Sequence, residues 1–184
     1  MGTVIAGMTM SLDGFVADAA GNAARLYPDL EGLQGTAFMN AAIAETGAVI
    51  MGRKTFEMGD PDSYVGAYEF QVPIFVLTQH PPKIPPKQDE RLTFTFVRDG
   101  IASAVAQATA AAGDKAVQVV GGASVIQQLL RAGLVDELHV DIMPVFLGAG
   151  QRLFEHADLN RVGLEKIGVE TVGQRTSLRF RVER

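Results

Sequence analysis

The chain has 184 residues, 47% hydrophobic and 20% charged, with 20 glycines and no cysteine. Such a composition describes a globular protein long enough to bury a substantial core, and it excludes a disulfide framework, a thiolate zinc site, an iron–sulfur cluster and a cysteine nucleophile. A formal net charge of -5 argues against nucleic acid as the main partner, because phosphate backbones need broad faces of Lys and Arg; a bound anion must find local positive charge instead.

Thr3 to Met10 carries the Val4, Ile5, Ala6 and Met8 content of a buried strand, which Ser11-Leu12-Asp13-Gly14 breaks with turn chemistry. The N-terminus lacks a basic signal-peptide start, and no apolar run reaches the ~18–20 residues of a membrane span, so a soluble cytoplasmic protein is expected. Phe15 to Gly35 is rich in turn formers and reads as a mobile, irregular loop with one short helical piece near Leu30. Thr36 to Glu45 reads as a helix, with Thr36 as N-cap, Phe38, Ala42 and Ile43 sharing a face, and Gly47 closing it. Ala48 to Met51 is a short buried strand, after which Gly52-Arg53-Lys54-Thr55 opens a helix reaching about Met58.

Gly59 to Gln71 reads as a loop, and Val72 to Thr78 as a strand ending at Leu77, Thr78, Gln79 and His80. A proline-rich, stiff connection follows. Leu92 to Val97 is a further strand, and Asp99 is placed to cap a helix with Ile101, Val105, Ala108 and Ala112 at helical spacing, ended by Gly113. Ala116 to Val120 then meets Gly121 and Gly122, and a helix starts at Ala123 with Val125, Ile126, Leu129 and Leu130 on one face and Gly133 as its left-handed stop. Leu138, Val140 and Ile142 alternate with His139 and Asp141 as a half-buried strand. Val162 to Thr171 and Arg175 to Val182 form an antiparallel pair around Val172-Gly173-Gln174. In the last strand Leu178, Phe180 and Val182 alternate with Arg179 and Arg181, which predicts one wet face. The whole is an α/β domain with a mostly parallel sheet and an antiparallel end.

Two glycine-led helix starts after buried strands mark the chemistry. Glycine lets backbone N–H groups approach a ligand, and a helix N-terminus attracts anions, phosphate above all. At Gly52 the basic Arg53 and Lys54 oppose the helix dipole by ~0.3–1 kcal/mol each unless an anion joins them, which favours a phosphate there, with Thr55 adding a donor. The run from Gly47 to Thr55 is not a P-loop, because its intervening residues are a β run and Arg53 separates Gly52 from Lys54-Thr55. Gly121-Gly122 alone is equally compatible with an ordinary strand-to-helix turn. His80 is placed to meet a phosphate, whereas His139 and His156 are scattered, and no metal site is expected. There is no nucleophile elbow; Asp13 is either a ligand contact or a turn-holding Asx residue.

Five segments, SLDGFVA from Ser11, VIMGRKTFE from Val49, PIFVLTQH from Pro73, VVGGASVIQQLL from Val119 and GLVDELHVDIMPVFLGAGQRLF from Gly133, occur in the order seen in dihydrofolate-reductase-like proteins. The resemblance is closest to the C-terminal reductase domain of the bifunctional riboflavin-biosynthesis deaminase-reductase. It implies a three-layer fold with an eight-stranded mixed sheet over residues 1–184, and NADPH as cofactor. It further implies that Gly52, Arg53, Lys54 and Thr55 hold the adenosine-side phosphate, and that Leu77, Thr78, Gln79 and His80 border the ribose 2′-phosphate. Gly121, Gly122, Ala123, Ser124 and Val125 match the pyrophosphate turn, whose glycines relatives often join by a cis peptide. Ala6, Gly7, Asp13 and Gly14 match the strand and loop beside the nicotinamide. No acid on the helix from Thr36 corresponds to the pterin-binding carboxylate of true dihydrofolate reductases, so folate is a poor substrate guess.

The resulting expectation is an NADPH-dependent reductase, resembling 5-amino-6-(5-phosphoribosylamino)uracil reductase, that passes a hydride to a small polar, pyrimidine- or pterin-like substrate. Asp13, Phe38 and Pro144 are expected around that substrate, with Asp13 or water delivering the proton. The resemblance also implies a homodimer. A nucleotide-binding module without turnover and a purely structural subunit remain open alternatives.

Overall fold

The computed structural model describes residues 2–155 and 158–183, so His156 lies outside the described residues. Strand β1 (Val4–Ser11) runs through the middle of an eight-stranded sheet in the order β5-β4-β3-β6-β1-β7-β10-β9. The others are β3 (Thr46–Gly52), β4 (Ile74–Leu77), β5 (Phe94–Val97), β6 (Ala116–Val119), β7 (Glu137–Met143), β9 (Gly163–Val172) and β10 (Arg175–Glu183). All pairings from β5 to β7 are parallel; β10 joins β7 and β9 antiparallel, as expected for a hairpin added to a βα sheet. This is the three-layer α/β arrangement the alternation of strands and helices predicts.

Period-2 alternation sends the two sides of each strand to different surroundings. On one side Ala6, Ile50, Val117, Val119, Leu138 and Val140 pack against α5 (Ile101–Ala112) and α6 (Ala123–Arg131). Helix α5 presents Ala104, Ala108 and Ala112, small enough to let it lie close to the strands, while α6 contributes Ile126 and Leu129, both 0% exposed. Burying each such large aliphatic chain stabilises by roughly 1.5–3 kcal/mol. On the other side, over β3 to β5, Val49, Met51, Ile74 and Val76 meet an aromatic cluster of Phe56, Tyr64, Phe70 and Phe94. The Phe56 ring lies edge-on to Phe94 at 5.4 Å, a favoured aromatic geometry.

Several local expectations change. Gly100, with φ of 106°, caps α5, so Asp99 does not. Gly47 lies inside β3 and not beyond a helix end: its position against the Ala112 backbone leaves no room for a side chain. Residues 15–17 form β2 (Phe15–Ala17), which pairs with β8 (Gln151–Arg152) as a second, two-stranded sheet in what reads as plain loop. The loop before β4 contains the kinked helical turn α4 (Tyr64–Ala67), with Tyr64 buried. Helix α2 (Ala37–Glu45) is capped by the Thr36 side chain, which accepts from the Met39 amide at 3.2 Å, yet it buries no residue and leaves Ile43 exposed. The helix turns Phe38, Met39 and Ala42 toward a cavity beneath it, and Ile43 is not among the residues that line it. Leu30–Leu33 forms the short helix α1, and Gly133 stops α6 with φ of 64°.

Candidate active site

The parallel strands β6, β3, β4 and β5 end along one edge. Register places Ile50 beside Val119, Gly52 beside Leu77, and Leu77 beside Val97. At that edge the two glycine turns meet: the Gly52 N–H donates to the Gly121 carbonyl at 2.8 Å, and the Gly121–Gly122 peptide is cis. A Cβ on Gly52 would stand 3.1 Å from Val125 Cγ2 and 3.5 Å from the Gly122 nitrogen, and one on Gly121 would stand 3.0 Å from Met8 Cε. Only glycine fits this corner without displacement. Thr55 completes it, its Oγ1 lying 3.7 Å from the position a Gly122 Cβ would take.

Beyond the corner the expected cofactor residues separate into two kinds. Ala6, Ala123 and Val125 are buried in the core, so their side chains belong to packing and only their backbone is available. The Val125 and Ile126 amides bond to Gly122 O at 3.0 and 3.3 Å, leaving Ala123 and Ser124 with the first-turn N–H groups that a helix cannot pair internally. Ser124 Oγ accepts from Gln128. Arg53 and Lys54 are exposed on α3 (Arg53–Phe56), whose single turn carries little dipole, and Arg53 pairs with Glu57 at 3.0 Å. The dipole argument for an anion there loses its force; the position beside the glycine corner keeps its own. Thr78 is buried and its Oγ1 accepts from the His80 amide at 3.0 Å, while Gln79 donates to Arg98 O at 2.8 Å. His80 is exposed.

The other half of the site is a cavity of about 190 Å³ over the sheet face of β6, β1, β7 and β10, roofed by α1 and α2. Its floor is the polar face of those strands: Gln118, Thr9, His139, Asp141, Arg175 and Arg179. Gly7 is open here because a Cβ would come within 3.0 Å of Gln118 Nε2. Phe38 lines this cavity, with the Arg179 guanidinium 5.9 Å from its ring. His139 Nε2 is 3.0 Å from Glu137 Oε2.

Arg175 is the residue the sequence conceals. The alternation that makes this strand face look wet places Arg175 at 2% exposure, among Asp29, Asp141, Thr9 and the Leu26 carbonyl. Burial works against its charge, but the hydrogen bonds to Asp29 and the Asp141 carboxylate outweigh it and raise its pKa. The same bonds hold Asp29 below the usual carboxylate range. Burial pushes the Tyr27 and Tyr68 hydroxyls up. Desolvation also raises Glu69, although part of that residue stays exposed at the cavity rim. Of these groups only the strand polarity, a row of polar residues at alternate positions in β7 and β10, could have been read from the sequence.

Asp13 and Pro144 are not brought to the cavity. Asp13 accepts from the Ser11 hydroxyl and from the Leu147 and Gly148 amides at 3.1 and 2.8 Å, which fastens the turn after β7. The Ser11 hydrogen bond, reinforced by the two amides, lowers its pKa to about 2, so at neutral pH it is an ionised acceptor with no proton to give. Gly14, with φ of 85°, turns the chain beside it and accepts from the Leu153 amide at 3.2 Å.

A sheet in this order with glycine corners at its edge is the dihydrofolate-reductase-like fold, and the E. faecalis dihydrofolate reductase complexed with NADP(H) shares it, with a TM-score of 0.60, 16% identity, and coverage of 99% of this chain and 97% of that one. A crystal structure from Shewanella sp. PV-4 named for riboflavin biosynthesis has a TM-score of 0.77 at 24% identity over 99% of both chains. Residues 2–178 match the family model of the RibD C-terminal domain, and the chain belongs to that family. The uncharacterized protein YwjB of Bacillus subtilis strain 168 is 28% identical over 173 residues, covering 94% of each chain.

Proposed function

We propose that this chain is an NADPH-dependent reductase of the riboflavin-pathway type, acting on a small polar heterocycle held in the cavity under α2. The observation that carries the reading is the hydrogen bond from Gly52 to Gly121, which brings both glycine turns to one edge where a Cβ on either would intrude. A dinucleotide phosphate fits that corner: exposed Arg53 and Lys54 and the free first-turn amides of α6 supply donors, and glycine leaves the approach clear. NADPH, when bound, supplies the hydride. Around it the chain's own residues orient and enclose: Gly7 thins the β1 floor, and Phe38 and α2 screen the cavity from water. Membership of a reductase-bearing family and a dihydrofolate reductase complexed with NADP(H) among its structural neighbours support the same reading. We take the chain to be one domain working as a cytoplasmic homodimer, which light scattering would check.

The test is a fluorescence titration with NADPH and NADH, followed by a substrate screen over pyrimidines, pterins and quinones. Arg53→Ala with Lys54→Ala should weaken NADPH far more than NADH; equal losses remove the 2′-phosphate assignment. Steady oxidation of NADPH by one class identifies a reductase, whereas tight NADPH binding with no turnover across the panel leaves only a nucleotide-binding module.

A further inference from the structure

His139 stands on the far side of the cavity floor from the glycine corner. The strands run in the order β3-β6-β1-β7, and the corner joins the ends of β3 and β6. Val120 lines the cavity and the next residue is Gly121, so a cofactor held at the corner enters from the β6 side. Gly7 follows on β1, and His139 on β7 is its partner in register. Gly7 raises no side chain between the two. Gln118 Nε2, on the β6 side, is the one atom within 4 Å of the place its Cβ would take, so the side toward His139 stays open. Neighbouring strands lie ~4.8 Å apart, and a ring over Gly7 therefore has the cofactor on one flank and the imidazole on the other.

Glu137 shares the strand face of His139 but does not line the cavity, and its Oε2 lies 3.0 Å from His139 Nε2. A carboxylate accepts, so Nε2 carries the hydrogen of this bond and Nδ1 is the ring's second site. Nδ1 makes no hydrogen bond among the described residues. The charged groups around the ring are otherwise engaged. Arg179, across on β10, reaches to Glu170; Arg181, opposite Glu137, pairs with Glu165; Asp141, two residues on, accepts from Arg175. Glu45 and Glu69 stand at the exposed rim. Guanidinium groups do not give up their protons, and burial keeps the Tyr27 hydroxyl protonated. His139 is the floor group able to lose a proton and regain it.

Resting on the reductase reading, we propose that His139 is the proton donor, giving its Nδ1 hydrogen to the heteroatom of the bond being reduced, and that Glu137 is its positioning residue. Reduction of a C=N or C=O bond adds a hydride to carbon and a proton to nitrogen or oxygen. The hydride comes from NADPH, which leaves as NADP⁺. The proton comes from the imidazolium, which becomes neutral imidazole and is recharged from solvent before the next turnover. Glu137 keeps the Nε2 edge turned away, so that Nδ1 faces the ligand.

The first readout needs no turnover. Nitrogen-15 NMR of the histidine rings in the full chain, with the His139 signals assigned by their loss in His139→Gln, should place the hydrogen of the neutral ring on Nε2. Nδ1 should be the titrating atom; Glu137→Gln should move that titration to lower pH, and Glu137→Asp should restore part of the shift. A neutral ring with its hydrogen on Nδ1, or a titration indifferent to Glu137→Gln, overturns the proposal. The second readout uses the first compound of the pyrimidine, pterin and quinone panel that the chain reduces. His139→Gln should lower kcat about 100-fold at neutral pH, leave the KM for NADPH unchanged, and remove the fall in kcat toward alkaline pH. Glu137→Gln should carry that fall to lower pH, and Glu69→Gln should leave it in place. An unchanged kcat in His139→Gln, or a fall that moves with Glu69, overturns this assignment alone. A chain that binds NADPH and reduces nothing overturns the reductase reading, and the donor role with it.

Discussion

Asp29 accepts two parallel hydrogen bonds from Arg175 across 146 residues of chain, Nε to Oδ2 at 2.9 Å and Nη2 to Oδ1 at 2.8 Å. Asp29 precedes α1 but makes no capping bond with its side chain there, so its carboxylate serves the sheet and not the helix. The pair ties the connection between β2 and α2 down over β1 and β10. Replacing Arg175 by Met leaves Asp29 and Asp141 facing each other without their cation. Breaking a buried charge pair from one side costs about 3–5 kcal/mol, and urea denaturation should show a loss of that order. A loss under about 1 kcal/mol, the range of a surface ion pair, would mean that water replaces the guanidinium freely. Asp29→Asn should cost less, because Asp29 is 25% exposed and the oxygen of the new amide still accepts one of the two Arg175 hydrogen bonds.

Asp13 gives a pH signature of opposite use to the one its position first suggests. Its folded pKa of about 2 lies below the ordinary carboxylate value of 3.8. A depressed folded value means a contribution fully present above the unfolded pKa and lost as pH falls through the folded one. The stability difference between the wild type and Asp13→Asn should therefore be constant down to about pH 4 and shrink as the pH falls toward 2. A difference that does not change in that window would show that the Ser11, Leu147 and Gly148 bonds do not hold the charge. The same substitution should leave the pH profile of NADPH oxidation unmoved, since the carboxylate is occupied away from the cavity. Proton delivery then falls to solvent or to a cavity group.

Much of this architecture is legible because local patterns and tertiary environment agree. Val125, Ile126, Leu129 and Leu130 lie on one side of α6 and are all buried; Gly113 and Gly133 stop their helices with positive φ; the Val172 to Gln174 turn joins β9 to β10. The polar half of the site is another matter. Alternation in β7 and β10 tells which residues share a side of the sheet, but not what covers that side, and α1, α2 and Leu26 cover it. Arg175 therefore looks like Arg181, which is exposed, pairs with Glu165 at 2.6 Å, and sits on the same strand face. Its partners Asp29, Thr9 and Asp141 come from three distant segments, and no spacing rule connects them. Ile43 fails for a rotational reason: α2 turns Phe38, Met39 and Ala42 toward the cavity and leaves Ile43 exposed.

Gly150 offers a sharper steric prediction, at the junction of β2 and β8. It has φ of 135°, and a Cβ there would overlap the Ala17 carbonyl and the Asp18 backbone. Gly150→Ala has no flexible side chain to push aside, so the two-stranded sheet must separate. Faster hydrogen exchange at the Leu153 amide, which bonds to Gly14 O at 3.2 Å, should report that separation, with protection in β1 and β6 retained. Unchanged exchange at Leu153 would contradict the packing described for this corner.

Gly52 tests the cofactor corner without breaking the fold. Its φ of -80° is ordinary for any residue, so the only obstacle to alanine is the space beside Val125 Cγ2 at 3.1 Å and the Gly122 nitrogen at 3.5 Å. Overpacking of this kind costs about 1–3 kcal/mol when neighbours must shift, and here the neighbour that shifts carries the amides expected to hold phosphate. Gly52→Ala should therefore lower the thermal midpoint modestly and weaken NADPH binding about tenfold, equivalent to about 1.4 kcal/mol. Adding Val125→Ala removes the Cγ2 atom that the new methyl meets. If crowding is the cause, the double variant should regain most of the lost NADPH affinity even though Val125→Ala alone costs stability by opening the α6 packing. If the affinity stays lost with that space restored, the methyl must be blocking the ligand itself, and the phosphate then approaches directly over Gly52; full affinity in Gly52→Ala alone would place the cofactor elsewhere.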